Sequence, residues 1–594
     1  MIRRTSLITG KNINPILWVI VLALMSTLFL FPIQEDVRAA SIQSLFAFSK
    51  SISSVIAVFY VLVTALTILV FTTSENKVWE HVMIALATSV VFFGFWIIIT
   101  PYGEHVDNYM QFGHIQYVLE TGELVRDNAN LGYHMFPPFH LINTALAQIA
   151  GVELTQARNI LLLTTMALLA IWLHIFFQKQ LGNARLATLA TLGTIIGTTL
   201  ASKQVFAPVN IAFVFLVMLL ILSINTPQLR LGALRPTLTT FLFVLIGFVM
   251  SYLPTPAFFI CVLSATYILQ KVSGKQVIPF IFVAFAILTF GLWHQYWASL
   301  MFTSYPGMIL DLVNQLLNPG WIISGFLDPG QSYLGGSAPI WSRISRFFWL
   351  GFVYGLGGVI GIWNLIRIRK LGPEKTVLVG GLIGVAIFGF IAMVTQSGTE
   401  NDRTQWFRVT QLAPLFTIPL LVSTFASLGR KYRLGKFING GLICLMIALS
   451  FPTFLSHHTN FASDAIASHE IPPLKFLRDS HRAEEINLFS THETTSMYSA
   501  HLFNARLHNA PGPFEVESME VLEEHVKTLV FDFHAARSRT SLFVLNDRFT
   551  RMPGEEQQPL SNLGENWGNI SDGLKNTHKI YSNGYVEIFL SPNA

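Results

Sequence analysis

A chain of 594 residues in which 52% are hydrophobic and only 12% charged is not an ordinary soluble protein, and a mean hydropathy of +0.53 points to the membrane. The net charge of +5 is unevenly spread. More than half of the acidic residues follow Ser456, so the basic excess belongs to the apolar part and nothing in it suggests nucleic acid. Both cysteines, Cys261 and Cys444, fall inside apolar runs, which excludes a disulfide framework.

In chain order, about thirteen apolar runs are expected to span a bilayer as helices, since most reach the 17 to 22 residues that a core of about 30 Å requires. They are Ile16–Pro32, Ser53–Phe71, His81–Thr100, Asn159–Phe177, Ala187–Ser202, Ala207–Ser223 and Leu238–Leu253, then Ala257–Leu269, Val277–Trp297, Phe347–Ile366, Val377–Thr395, Ala413–Ala426 and Phe437–Phe454. The first follows a basic start (Arg3, Arg4, Lys11) and ends at Phe-Pro-Ile-Gln-Glu with no small-residue cleavage pattern, so it reads as a retained anchor. A further piece, Pro138–Ala150, is too short to span; it is expected to lie in the interface or re-enter a protein-lined cavity.

Basic residues set the orientation. Alternate loops carry Lys77; Lys179 and Arg185; Arg230 and Arg235; Lys271 and Lys275; Arg367, Arg369, Lys370 and Lys375; and Arg430, Lys431, Arg433 and Lys436. With a cytoplasmic N-terminus this alternation, and an odd number of spans, leaves the tail outside. Every long polar stretch then falls on the extracytoplasmic side: the loops 101–158, 298–346 and 396–412, and the segment 456–594. A transporter is expected to spread polar groups through the midplane in matched halves. Here no span has an acidic or basic residue near its centre, and His174, the notable midspan polar residue, reads as a satisfied buried histidine.

The first outer loop opens with Glu104-His105-Val106-Asp107 just after a span. Ionisable groups at a bilayer boundary are functional candidates unless they are simply solvated, and locally both readings stand. The loop 298–346, with NPGW, LDPGQSY and a helical candidate Met308–Leu317, is either a cap over a lipid-facing cavity or a packing element. In the third outer loop Arg403 and Arg408 lie at the start of a span, where an Arg suits a phosphate but also serves as a snorkelling anchor. The tail reads as a soluble α/β domain, with helices Leu474–Ser480 and Ser518–Phe533 and strands Ile486–Ser490 and Ser541–Leu545. It closes in a hairpin, HKIYSNGYVEIF, turning at Asn583-Gly584. Its scattered histidines have no zinc-like spacing, and it has no P-loop, no dinucleotide fingerprint and no nucleophile elbow.

The acidic loop, the run Tyr133-His134-Met135-Phe136-Pro137-Pro138-Phe139-His140 entering the next membrane helix, and the Ile-Tyr-x-Asn-Gly hairpin closing an outer domain together resemble the multi-spanning GT-C glycosyltransferases, whose relatives include protein mannosyltransferases and aminoarabinose transferases. The likeness covers most of the chain in layout but only about thirty residues in motif. Many relatives have a histidine four residues after the loop aspartate; here that place is Gln111, with His114 three further on. The Trp-Trp-Asp-Tyr-Gly signature of oligosaccharyltransferases is absent, and two spans precede the usual first one.

The resemblance implies a polytopic α-helical membrane protein that moves a sugar from a polyprenyl-phosphate donor to a glycan, lipid or protein acceptor on the extracytoplasmic face. By its match to the family's loop carboxylate, Asp107 would be the general base. Arg408, Arg403, His134 and His140 are candidates to receive the phosphate, with His114 and Tyr133 secondary. Glu104 and His105 would hold the acceptor or a divalent cation such as Mg or Mn; family members differ on the metal. A flippase for lipid-linked glycans, or a non-catalytic scaffold using the tail to hold a partner, are the alternatives.

Overall fold

Backbone N–H and C=O groups taken out of water must be satisfied within their own segment, so an apolar run in a bilayer becomes a helix. In the computed structural model of the protein, each apolar run from Ile16 to Ala426 overlaps one, with bounds that differ by up to about seven residues. They are α1 (Ile13–Leu30), α2 (Lys50–Thr72), α3 (Val78–Ile99), α6 (Leu154–Leu181), α7 (Ala184–Gly197), α8 (Val209–Ile224), α9 (Leu231–Ser251), α10 (Pro254–Ser273) and α11 (Phe280–Tyr296). The tenth run opens as a π-helix over Gly351–Leu356 and continues as α12 (Gly357–Ile366); α13 (Pro373–Thr395) and α14 (Pro414–Lys431) follow. Between α3 and α6 lie two shorter helices, α4 (Val106–Thr121) and α5 (Pro137–Ala150).

The structure describes residues 13–30, 50–99, 106–124, 136–197, 208–224, 231–252, 254–297, 351–395, 412–431 and 471–481. In the tail it also describes 486–491, 506–510, 530–533, 540–546, 577–582 and 586–590, with the single residues 528 and 574. The last expected span, Phe437–Phe454, the loop 298–346 and the boundary at 456 lie outside them. Among the described residues, three helical stretches are long and apolar enough to cross a membrane by length and composition alone: Gln156–Leu181, Pro254–Ser273 and Pro373–Ile391. The other apolar helices are shorter.

Two ends of this bundle can be told apart by their contacts. At one, Asn14 Nδ2 donates to Thr73 Oγ1 (3.3 Å) and Arg185 Nη2 to Thr73 O (2.9 Å). Asn183 Nδ2 donates to Glu75 Oε2 (2.6 Å), and Arg185 pairs with Glu75 at 3.3 Å. These bonds gather the start of α1, the α2–α3 turn and the α6–α7 turn, the last two of which carry Lys77, Lys179 and Arg185 from the basic loops. From there α3 rises for 22 residues, roughly 33 Å at 1.5 Å per residue, to the opposite end, where α4 begins.

Between the ends the core is mainly apolar, and buried hydroxyls such as those of Thr67, Thr88 and Thr165 donate to carbonyls of their own helices. Two backbones come close between α10 and α13: a Cβ at Gly380 would meet Thr266 Cα at 2.7 Å, and one at Gly384 would meet Val262 Cα at 2.5 Å. Glycine at these positions lets two backbones approach closely, the usual device of helix pairs in lipid. His174 is fully buried, as the sequence suggested, but only half satisfied: its Nδ1 lies 3.4 Å from Thr188 Oγ1 while its Nε2 has no partner, and His81 Nδ1 lies 3.2 Å from the same oxygen. The network ties α3, α6 and α7 together.

In the tail, α15 (Ile471–His481) precedes a five-stranded mixed sheet of order β2-β1-β3-β5-β4. Its strands are β1 (Ile486–Thr491), β2 (Arg506–Ala510), β3 (Thr540–Asn546), β4 (His578–Ser582) and β5 (Val586–Leu590). β1 pairs in parallel with β2 and β3, while β5 pairs antiparallel with β3 and β4. Both expected strands and the closing hairpin are present; β2, whose sequence RLHNA has only weak alternation, was not foreseen. Leu477, Leu488, Leu542, Val544 and Ile588 belong to the same contiguous apolar cluster as Phe112 and Ile115 of α4, Phe139 of α5, Leu162 of α6 and Ile211 of α8. The sheet is thereby joined to the end of the bundle that carries α4 and α5.

Candidate active site

Helix α4 brings three polar positions to one face, because residues 107, 111 and 114 follow the i, i+4, i+7 spacing of a 3.6-residue turn. Asp107 is the second residue of α4, and its backbone is helical; its side chain lies outside what the structure describes. Gln111 and His114 are buried, at 0% and 5% exposure.

Helix α5 meets this face. Pro137 and Pro138 start it, suited to a first turn whose N–H groups have no intrahelical partner, and Gly151 ends it in the left-handed conformation at φ 62°. Its inward side is mixed, with Phe139 and Ala147 buried beside polar residues. His140, Asn143 and Thr144 are turned inward, whereas Leu141, Ile142 and Ile149 are exposed, Ile149 to 88%. Such a pattern is stable where the outward side meets acyl chains and the inward side meets polar partners.

One partner is explicit. His140 Nε2 lies 2.7 Å from Gln111 Oε1. An amide oxygen only accepts, so Nε2 carries the hydrogen and the tautomer of His140 is fixed. His114 packs edge-on against the His140 ring, centroids 5.4 Å apart, and Phe139 does so at 5.5 Å. Burial, and after it the neighbouring His114, pushes the His140 imidazole well below its usual 6.5, so it is neutral at pH 7. Its one N–H is held by Gln111 and its Nδ1 is an acceptor, so it brings an anion neither charge nor a free donor.

Around the pair, Asn143 Nδ2 donates to Phe139 O at 2.8 Å. Gln111 Nε2, Asn143 Oδ1 and Thr144 Oγ1 are buried without a hydrogen-bond partner. Each such group costs about 1–3 kcal/mol in a protein interior, so three together call for a reason. One turn into α6, Arg158 has a fully buried side chain and donates from Nη1 to Asn159 Oδ1 at 3.2 Å.

Of the residues singled out in the sequence, the structure brings His114 and His140 together and sets Asp107 on the same helix as His114. Glu104, His105, Tyr133, His134, Arg403 and Arg408 lie outside the described residues. Gln111 stood out in the sequence only as a departure from the family pattern. Asn143, Thr144 and Arg158 were missed, although the i, i+3, i+4 polar stripe His140, Asn143, Thr144 against Leu141, Ile142 and Ile149 was legible. Among the described residues no group of three His, Cys, Asp or Glu could hold a metal ion. The carboxylates a divalent cation would take, Glu104 and Asp107, have side chains outside the described residues.

No protein-family model matches the chain, and no curated protein matches it in sequence. Solved structures do resemble it. ArnT from Cupriavidus metallidurans in the apo state is 11% identical, covering 87% of this chain and 98% of its own, at a TM-score of 0.46. The same protein bound to undecaprenyl phosphate gives 10% identity and 0.46 at the same coverage. The Archaeoglobus fulgidus oligosaccharyltransferase tethered with an acceptor peptide containing the NVT sequon is 13% identical, covers 79% of this chain and 69% of its own, and gives 0.48. The likeness is one of chain path. With these scores below 0.5, function is read instead from the residues of α4 and α5.

Proposed function

We propose that the chain is a membrane glycosyltransferase that moves a sugar from a polyprenyl-phosphate donor to an acceptor hydroxyl on the extracytoplasmic face. The observation that carries this is the buried contact of Gln111 and His114 with His140, one to two turns beyond Asp107 on α4. The two stretches that carried the family resemblance, residues 104–107 and 133–140, thus lead into helices that pack together. What supports the extracytoplasmic placement is charge. Lys77, Lys179 and Arg185 gather at the other end of the bundle, as cytoplasmic loops should, and the tail's sheet joins the end bearing α4 and α5.

In the reaction the acceptor oxygen bonds to the anomeric carbon from the side opposite the phosphate, with inversion, while Asp107 takes the hydroxyl proton. The bond from that carbon to the phosphate oxygen breaks, and its electron pair leaves with the polyprenyl phosphate. Arg408, and with it Arg403, offers the planar, permanently charged donor set suited to the phosphate as charge gathers there. His134 is a further donor to it, whereas His140, expected from the sequence to join it, has its one N–H engaged by Gln111 and serves the α4–α5 contact instead.

The test is Asp107→Asn in proteoliposomes supplied with a lipid-linked sugar. Transfer is expected to fall by about 10²-fold or more, the usual contribution of a positioned base, while insertion and melting temperature stay put. Undiminished turnover would remove Asp107 as the base. Scrambling of labelled lipid across the vesicle without a new glycosidic bond would favour a flippase.

A further inference from the structure

We infer that the seam between α4 and α5 is a subsite for the uncharged, hydroxyl-bearing part of the substrate, the sugar ring and not the phosphate. The inference rests on the glycosyl-transfer reading above and deepens it. Three side chains carry it. Gln111, Asn143 and Thr144 are 0%, 0% and 7% exposed, and Gln111 Nε2, Asn143 Oδ1 and Thr144 Oγ1 have no hydrogen-bond partner. Asn143 and Thr144 share the inward face of α5 with His140, which itself holds Gln111. Together they offer two amide hydrogens, one carbonyl acceptor and one hydroxyl that both donates and accepts. That mixture complements vicinal hydroxyl groups, each of which gives one hydrogen and takes another.

The same groups are poorly suited to an anion. A phosphate wants Arg, Lys or the N–H groups of a helix start. Here the start of α5 is Pro137-Pro138, which has no N–H at either position. Asn143 Oδ1 would face a phosphate oxygen acceptor to acceptor. His140, neutral through burial, adds no positive charge. The outward apolar side of α5, with Leu141, Ile142 and Ile149, leaves room for a lipid carrier alongside while the polar side takes the headgroup sugar.

The experiment compares, for the full chain in nanodiscs, binding of undecaprenyl phosphate with that of undecaprenyl phosphate linked to glucose, mannose, galactose or N-acetylglucosamine. At least one glycosylated carrier is expected to bind more tightly than the bare one. Thr144→Val, which deletes only a hydroxyl, should remove that preference, a loss of about tenfold for the glycosylated carrier, with the bare carrier's Kd unchanged. Thr144→Ser should restore it. Gln111→Met should act in the same direction, read beside its melting temperature. The inference is overturned if the wild type shows no preference for any sugar-bearing carrier, or if Thr144→Val weakens both kinds of carrier alike. It is equally overturned if Thr144→Val lowers the melting temperature and leaves the preference intact, the mark of a purely structural hydroxyl. Failure of every carrier, bare and glycosylated, to bind would instead sink the glycosyl-transfer reading, and the subsite with it.

Discussion

His140 Nε2 and Gln111 Oε1 meet at 2.7 Å between two short helices, with 2% and 0% of the respective residues exposed. A buried neutral imidazole has a direct thermodynamic consequence. In the unfolded chain His140 takes up a proton near its ordinary 6.5; in the folded protein burial holds that uptake well below. Below 6.5 the unfolded state therefore binds more protons, and stability is lost as the pH falls from 6.5 toward the depressed folded value. Above 6.5 neither state is protonated there and the contribution is flat. The melting temperature in detergent is expected to drop between pH 7.5 and 5.5, and His140→Gln should flatten that slope. An unchanged slope in the variant would assign the acid sensitivity elsewhere.

Gly384 is the least replaceable residue of the α10–α13 contact. A methyl group there would sit 2.5 Å from Val262 Cα and 2.7 Å from Val262 N, and backbone does not swing aside as a side-chain tip does. Gly384→Val should destabilise by about 3 kcal/mol or more, at the upper end of overpacking effects. Gly358→Ala is the control, because nothing lies within 4 Å of its added Cβ. Thermal unfolding of the two variants side by side decides the point; equal melting temperatures would refute the close approach.

Thr188 Oγ1 also donates to Ala184 O at 2.9 Å. With its hydrogen engaged there, the oxygen accepts from Nδ1 of both His81 and His174. Thr188→Val removes the oxygen that both buried rings contact and should cost about 1–3 kcal/mol. Thr188→Ser keeps the oxygen and is expected to stay near wild type. If Val and Ser melt alike, the hydroxyl is not what holds the two rings.

Gln270 closes the α10–α11 turn from within. Its Oε1 accepts from Val277 N (2.8 Å) and Ile278 N (2.7 Å), and its Nε2 donates to Ile278 O (2.6 Å). Gln270→Met keeps the length but strands three buried backbone groups, for a loss of about 3 kcal/mol. Hydrogen exchange at residues 277 and 278 should rise in step. Protection unchanged at those two amides would contradict the clamp.

Much of this was written in one dimension. The positions of the helices from Ile16 to Ala426 follow from hydropathy, because a bilayer allows an apolar segment no other backbone solution. The two strands of the closing hairpin were equally plain from the alternation flanking Asn583-Gly584, but their pairing was not: Ser582 faces Glu587, where a two-residue turn would set it against Tyr585. β2 was not, because RLHNA gains its strand character from β1 beside it and not from its own composition. The sequence also marked 104–107 and 133–140 as separate candidates, and His174 as a buried histidine.

Tertiary structure alone decided which of these meet. Hydropathy cannot say that Gln111 faces His140 or that Thr188 serves two histidines. Nor can it say that Gly384 lies against Val262, since each pairing depends on how helices distant in sequence rotate about their axes. The two faces of α5 show the division most clearly. The order of polar and apolar residues in PPFHLINTALAQIA established that two faces exist, and only packing against α4 determined that the polar one turns inward. A buried polar group must find a partner in three dimensions, and neighbours in the chain do not supply one.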